Sequence, residues 1–309
     1  PVTAAESILV TGASFLRSTA KGATVTRDEA ARGSGDRSVR SLLDVFPIVA
    51  VAALLVGVYS LPAPVKREFV FDYGTPTLLT AYTAHFVHFS VAHLAGNLAA
   101  FVLVAGTMYA LLVRAGGRRV FFVFGATLFI AFPVTLSVLN LAVPRDGVTY
   151  GFSGLNMAIS GFLPVAIATH VERRLDRPVD GAVLLVAFFA SVGYIAAIAL
   201  PRSTHSNAVA LVAVGVVLGS ALRYDVSFRS GLSFVRRCLG RFGGPEALST
   251  VGVGVWAVLL SAGFPETVAD ESAVTNIYVH FLGYALGFTS AYLAYEWRLV
   301  GDRPPRGHR

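Results

Sequence analysis

Eight long apolar segments divide the sequence, and short arginine-rich stretches separate them. The segments cover about residues 45–61, 88–113, 120–142, 152–169, 181–200, 207–222, 250–264 and 276–297. A helix needs about 20 mostly apolar residues to span a bilayer, and most of these segments meet that length. We therefore predict an all-α polytopic membrane protein with about eight transmembrane helices. Glycine pairs in the sixth and seventh segments, Gly215/Gly219 and Gly252/Gly254, suggest close helix packing there.

The composition supports a membrane protein. Hydrophobic residues make up 55% of the chain and charged residues 14%, whereas a soluble domain carries about 25% charged residues. A net charge of +7 could indicate a nucleic-acid-binding protein, but such proteins cluster Lys and Arg on one solvated surface. Here these residues lie in short runs between apolar segments. We expect the lipid bilayer as a partner and no nucleic acid.

The positive charges also predict the orientation of the chain. If the N-terminus is inside, 21 of the Lys and Arg residues lie on the inner side of eight spans and four on the outer side. Inner loops carry the excess of Lys and Arg in membrane proteins, so both termini are predicted to be cytoplasmic in a multi-pass cell-membrane protein. The domain prediction is a disordered tail at 1–44, a membrane domain at 45–297 and a second cytoplasmic tail at 298–309.

The inner stretch 225–242 is open to two interpretations. Its apolar residues are spaced by three and four positions, which fits an amphipathic helix on the inner leaflet. Its arginines fit a basic, solvated linker equally well. The apolar residues are Phe228, Leu232, Val235, Leu239 and Phe242.

Polar side chains inside a bilayer are costly and mark candidate functional sites. The first group is His93 and Asn97 in the second segment, whose i, i+4 spacing puts the imidazole and the carboxamide on one helix face. Both can donate a hydrogen bond to an oxygen beside that face. The same pair also fits an ordinary hydrogen-bonded contact between helices.

The second group is Gly151-Phe152-Ser153-Gly154 at the start of the fourth segment. Glycines remove bulk on either side of the hydroxyl, and helix-start amides can face a developing oxyanion. The run differs from the Gly-x-Ser-x-Gly elbow, because Leu155 replaces the last glycine and we predict no preceding strand. Taken alone, small residues here also fit ordinary helix packing.

The third group is His280, Gly283 and Gly287 in the last segment, where offsets of three and seven form one helical stripe. The glycine pair lets a neighbouring helix approach closely, so that the histidine would lie against a partner backbone. A core histidine with satisfied hydrogen bonds is the alternative interpretation.

The predicted topology brings the three groups to one depth. The second, fourth and eighth segments all start on the outer side. At about 1.5 Å per residue, the positions of the three groups along their helices agree within roughly one to two turns. A nucleophile, a base and two hydrogen-bond donors can therefore meet in the outer half of the bilayer.

These three motifs, in this order, resemble those of the rhomboid family of intramembrane serine proteases, over about residues 45–297. The resemblance implies that Ser153 is the nucleophile and His280 the general base of a Ser-His dyad. It implies that His93 and Asn97 stabilise the oxyanion and that His88 has a structural role. The supporting motif positions are Gly151, Gly154, Gly283 and Gly287.

The resemblance also implies a fold and a substrate class. We expect a rhomboid-like helical bundle with a six-helix core and two additional helices, an active site that opens to the outer side, and transmembrane protein segments as substrates. Three helices lie between the serine and histidine helices, where the family core has one. Met157 stands where some members carry a Tyr that packs on the histidine, and residues 62–87 contain no Trp-Arg pair.

Other functions fit the sequence less well. The alternative within the family is a non-catalytic protein that binds membrane clients, but such proteins generally lose the serine or the histidine. A transporter is not favoured, because the chain shows no internal repeat. We expect no cofactor and no metal, because there is no phosphate-binding loop and the offsets of His85, His88 and His93 do not make a helical triad. Nothing in the sequence indicates an oligomeric state.

Overall fold

A computed structural model describes most of the chain. The described residues are 44–143, 145–199, 204–223, 245–264, 269–270, 273–274 and 276–297. The predictions for the N-terminal tail, for 225–242 and for the C-terminal tail concern residues outside these ranges and stay predictions. The chain divides into two compact units, Pro1–Val51 and Ala52–Arg309. Of the first unit the structure describes residues 44–51, which are helical.

The described part of the chain is almost entirely helical, which confirms the all-α prediction. The helices are α1 (Asp44–Tyr59), α2 (Ala63–Arg67), α3 (Leu78–Thr83), α4 (Val91–Arg114), α5 (Arg118–Ile130), α6 (Phe132–Asn140), α7 (Ser153–Leu175), α8 (Gly181–Ala199), α9 (Thr204–Arg223), α10 (Pro245–Gly263) and α11 (Ile277–Glu296), with a 3₁₀ turn at Ala84–Phe86. Short strands form two antiparallel pairs, β1 (Phe71–Asp72) with β2 (Val148–Thr149) and β3 (Ala269–Asp270) with β4 (Ala273–Val274).

Every predicted apolar segment coincides with at least one of these helices. Five helices are long and apolar enough to cross a membrane, namely α4, α7, α8, α10 and α11. The third segment is wrong as a single helix, because α5 and α6 meet at a 45° bend, and the two make a sixth span only if they cross the membrane together. Pro133 explains the break, since proline lacks an amide hydrogen and its ring clashes with the carbonyl four residues earlier. The described helices therefore support five to six spans, and the count of eight stays a prediction.

The serine helix α7 lies at the centre of the bundle, and nearly all of its membrane-length window is buried. Its closest neighbour is α11. A methyl group added to Gly283 would overlap the carbonyl of Gly154, and one added to Gly287 would overlap the carbonyl of Ala158. On the α7 side, a methyl group on Gly161 would meet the backbone of Tyr284. Small residues thus let the two backbones touch over about two turns, from Gly154 to Gly161 of α7.

The two glycine pairs in the later segments behave differently. Gly252 of α10 packs against the side chains of Ile167 and Leu111, as the sequence predicts. Around Gly254, Gly215 and Gly219, a methyl group would meet no atom of the described residues within 4 Å, so the expected close packing at these three positions was wrong for this part of the chain.

The three helices between α7 and α11 occupy different places. The helix α10 packs against α7 and α4 through Gly252. The helix α8 lies against α11, where Ser191 and Tyr284 share a hydrogen bond of 2.6 Å and the ring of Phe188 stacks on Phe288 at 4.3 Å. The helix α9 packs on α8, with Gly193 against Ala213. The helix α8 also reaches α10, where the hydroxyl groups of Tyr194 and Ser261 share a hydrogen bond of 2.9 Å.

The segment between α1 and α4 folds into ordered structure that supports the start of α7. Lys66 is buried, and its Nζ donates hydrogen bonds of 3.0 Å to the carbonyls of Tyr59 and His88. The strand β1 pairs with β2, with Phe71 opposite Thr149. This pairing fixes the residues that lead into the serine motif.

Candidate active site

Ser153 is the first residue of α7 and is half-buried. The chain reaches it through β2 and through Gly151, whose φ of +114° favours glycine. The two-residue strand β2 corrects the prediction that no strand precedes the motif; it is too short to give an alternating pattern in the sequence. Among the described residues, the Ser153 hydroxyl has no hydrogen-bond partner. The first amides of a helix lack partners within the helix, so the hydroxyl lies beside the amides of a helix start, of which that of Leu155 donates to the Phe152 carbonyl at 3.1 Å.

His93 lies directly against the loop before Ser153. A methyl group on Gly151 would come within 2.7 Å of His93 Cε1. His93 is in the first turn of α4, which Ser90 caps by accepting a hydrogen bond from the His93 amide at 3.2 Å. The i, i+4 motif of α4 therefore starts level with the serine motif.

His88 joins the same cluster and supports the backbone at Ser153. Its ring contacts that of His93 edge-on at 4.9 Å. The Phe152 amide donates to His88 Nε2 at 3.5 Å, and His88 Nδ1 lies 3.3 Å from the Phe86 carbonyl, so Nδ1 carries the proton. Burial and the neighbouring His93 lower the pKa of His88, which precedes α4, to about 4. A neutral His88 can therefore accept the hydrogen bond from Phe152.

Asn97 lies one turn further along α4 and is buried. Its Nδ2 donates to the His93 carbonyl at 3.0 Å. Asn156 of α7 donates from Nδ2 to the Asn97 carbonyl at 3.0 Å and to Asn97 Oδ1 at 3.3 Å. Asn156 was not predicted from the sequence, although a carboxamide inside a predicted span, three residues after Ser153, was a visible signal.

His280 is in the first turn of α11, and its ring is held by a backbone group of another helix. Its Nδ1 lies 2.6 Å from the carbonyl oxygen of Gly263, the last residue of α10. A carbonyl oxygen only accepts, so Nδ1 donates its proton and Nε2 keeps its lone pair. The ring of Phe264 lies edge-on to the imidazole at 6.2 Å. No sequence signal pointed to Gly263, because a main-chain acceptor is present at every residue.

Met157 contacts the same residue from α7. A methyl group on Gly263 would lie 2.6 Å from Met157 Sδ, and Met157 is buried. The side chain that departs from the family pattern therefore packs on the residue whose carbonyl holds His280. The orientation of the imidazole depends on α7 and α10 together.

The serine and histidine motifs adjoin through Gly154. A methyl group on Gly154 would lie 3.4 Å from Val279 Cγ2, and Gly154 also touches Gly283. Both of these α11 residues flank His280 in sequence. Among the described residues no hydrogen bond joins Ser153 to His280. The structure thus brings the two motifs into contact without a hydrogen bond between the Ser153 hydroxyl and the His280 imidazole. Hydrogen bonds between catalytic groups often form only when substrate is bound.

Comparison with known proteins gives one match. A family model described as the Rhomboid domain matches residues 75–225. The matched range holds α3 to α9, with His93, Asn97 and Ser153, and ends before His280. Searches of curated proteins and of solved structures found no match.

Proposed function

Because the chain belongs to the rhomboid family, we propose that it is an intramembrane serine endopeptidase that cleaves transmembrane segments of other proteins. The observation that carries the proposal is the hydrogen bond between His280 Nδ1 and the Gly263 carbonyl. It fixes the tautomer whose Nε2 can accept a proton, on a helix that touches the residue after Ser153.

In the proposed reaction, Ser153 attacks a peptide carbonyl and His280 Nε2 takes the hydroxyl proton. The imidazolium then returns this proton to the leaving amine, and a water molecule hydrolyses the acyl-enzyme by the same route. The positive charge that forms on the ring is shared with Nδ1–H, which points at the Gly263 carbonyl oxygen. That carbonyl takes the orienting role that a carboxylate has in a catalytic triad.

The oxyanion would be stabilised by the Ser153 backbone amide together with His93 and Asn97. His93 lies against the loop that ends at Ser153, and Asn97 lies beside the first turn of α7. Loss of one such donor typically lowers turnover by about 10²–10³-fold. These donors act most strongly where water is scarce, as it is between packed helices.

The proposal includes an orientation. The chain is a multi-pass membrane protein, and the excess of inner Lys and Arg supports cytoplasmic termini. Ser153 would then open to the outer side, where water for hydrolysis can reach it. The substrate is a membrane-spanning segment that unwinds locally, because a peptide bond within a regular helix is shielded from attack.

Labelling by a fluorophosphonate probe tests the nucleophile. Purified protein in detergent should react at Ser153, and Ser153→Ala should lose all labelling. Ser160→Ala is the matched control, because Ser160 lies on the same helix seven residues later and is fully buried, so it should label like the unchanged protein. An unlabelled wild-type chain, or equal labelling of Ser153→Ala, would reject the nucleophile.

The second candidate function is a non-catalytic rhomboid-family protein that binds membrane clients. The observation in its favour is the missing hydrogen bond between Ser153 and His280. Such a protein would capture transmembrane segments and remain unreactive to the probe. Binding without labelling or cleavage would therefore select this alternative.

The contact between Gly151 and His93 gives a separate prediction. Gly151→Ala should lower cleavage by about 10²-fold or more, because the new methyl group would displace the His93 ring and remove an oxyanion donor. The positive φ adds roughly 1–2 kcal/mol of backbone strain. Initial rates of substrate cleavage measure the effect.

Gly147→Ala is the control for this change. Gly147 also has a positive φ, +97°, but a methyl group there meets nothing within 4 Å. It should bear a similar backbone strain and keep most of the activity. Equal losses in the two variants would show that strain alone, and not the His93 contact, is responsible.

A further inference from the structure

We propose that Asn156 is a positioning residue that fixes the orientation of the Asn97 carboxamide as an oxyanion donor. The inference rests on the proposed protease function and goes beyond it, since neither the family motifs nor the family match gives Asn156 a role. It follows from which atoms of the two asparagines can donate and which can only accept.

The hydrogen bonds define both amides without ambiguity. The main-chain carbonyl of Asn97 can only accept a hydrogen bond, so the Asn156 side-chain atom 3.0 Å from it is the nitrogen of the NH2 group. This NH2 group can only donate, so the Asn97 atom 3.3 Å from it is Oδ1. The His93 carbonyl only accepts, so the Asn97 atom 3.0 Å from it is Nδ2. Without Asn156, one of the contacts that hold Asn97 in this orientation is lost.

The orientation leaves Asn97 with a spare donor. Its Nδ2 carries two N–H groups, and one of them bonds the His93 carbonyl. Asn156 is three residues after Ser153, about 4.5 Å along the helix axis, so the amide pair lies beside the first turn of the serine helix. The second N–H of Asn97 is then available at the level where the oxyanion forms. A flipped Asn97 would present an oxygen there and repel the developing negative charge.

The pair is also a costly way to join two helices. Asn156 Oδ1 is buried and has no hydrogen-bond partner among the residues that the structure describes. A buried acceptor without a partner costs stability, whereas an apolar side chain of similar size carries no such penalty. A role in holding Asn97 explains why a carboxamide at this place is useful despite that cost.

A double-mutant cycle tests the inference on the full-length protein in liposomes. Asn156→Leu should lower kcat at least tenfold with KM changed less than threefold, because the donor acts on the transition state. Asn97→Ala combined with Asn156→Leu should be no slower than Asn97→Ala alone, since Asn156 works through Asn97. Asn156→Gln, which keeps the NH2 group, should recover part of kcat. If the leucine variant does not fold, Asn156→Ala takes its place in the cycle.

Asn140→Leu is the matched control. Asn140 is another buried asparagine whose Oδ1 has no partner in the described part of the chain, and its Nδ2 donates to the Tyr73 hydroxyl at 2.7 Å. The fold-loss in kcat from Asn140→Leu should multiply with the fold-loss from Asn97→Ala, because Asn140 and Asn97 do not share a contact. Independent effects of Asn156 and Asn97, or an unchanged kcat in Asn156→Leu, would overturn the positioning role while wild-type cleavage left the protease function standing. A wild-type chain that neither labels nor cleaves would overturn both.

Discussion

Replacing His280 with asparagine is expected to abolish cleavage of a transmembrane substrate while the helical bundle stays folded. The asparagine NH2 group takes nearly the place of Nδ1, so it can still donate to the Gly263 carbonyl. The basic Nε2 is lost, and with it the acceptor for the Ser153 proton. Loss of a catalytic base in serine proteases typically costs about 10⁴–10⁶-fold in turnover. Cleavage rates and thermal unfolding in detergent, measured on one preparation, give both results.

His170→Asn is the matched control for this prediction. His170 is also a buried histidine whose Nδ1 lies near a backbone carbonyl, that of Leu111, at 3.1 Å. It is seventeen residues after Ser153 on the same helix, far from the site. This variant should keep its turnover even if some stability is lost. A His280→Asn protein that cleaves at more than a tenth of the normal rate would rule out His280 as the base.

Gly283→Ala and Gly287→Ala are expected to destabilise the bundle and to remove activity. Each added methyl group overlaps a backbone carbonyl of α7, that of Gly154 or that of Ala158. A backbone cannot move aside as a side chain can, so α11 must shift away from α7. Overpacking of this kind costs about 1–3 kcal/mol or more, and the shift moves His280 away from Ser153. The midpoint of thermal unfolding and the cleavage rate should both fall.

Gly254→Ala provides the opposite expectation. It makes the same substitution in α10, where a methyl group would meet nothing within 4 Å in the described ranges. In a helix, alanine is more stable than glycine by about 0.5–1 kcal/mol, so this variant should be as stable as the unchanged protein or slightly more so. Equal behaviour of Gly254→Ala and Gly283→Ala would contradict the close contact between α7 and α11.

The sequence predicted the helices well because each apolar segment is a strong and independent signal. The break in the third segment was missed, although Pro133 stands in the middle of it. A proline within an apolar run allows either a kinked span or two helices, and packing decides between them. The motif residues were found because polar groups are rare in apolar segments, and the structure adds which of them touch.

Two contacts of the site were beyond sequence reasoning, for different reasons. Gly263 acts through its carbonyl, and every residue has one, so only the folded chain reveals which carbonyl meets His280. Asn156 carries a distinctive side chain, but its partner Asn97 lies on another helix and no spacing within one helix predicts that contact. The glycine pairs illustrate the same limit, since Gly215 and Gly219 share the spacing of Gly283 and Gly287 yet contact no other helix that the structure describes.

The hydrogen bond from His280 to Gly263 has a consequence for biogenesis. The carbonyl that accepts this bond belongs to α10, and the imidazole belongs to α11. The Met157 side chain that packs on Gly263 belongs to α7. Helices of a membrane protein form first and associate afterwards, so the ring has no fixed tautomer until these three helices have docked. The last of them is also the last described helix in the chain. A half-assembled form of the proposed protease would therefore carry Ser153 without an oriented base.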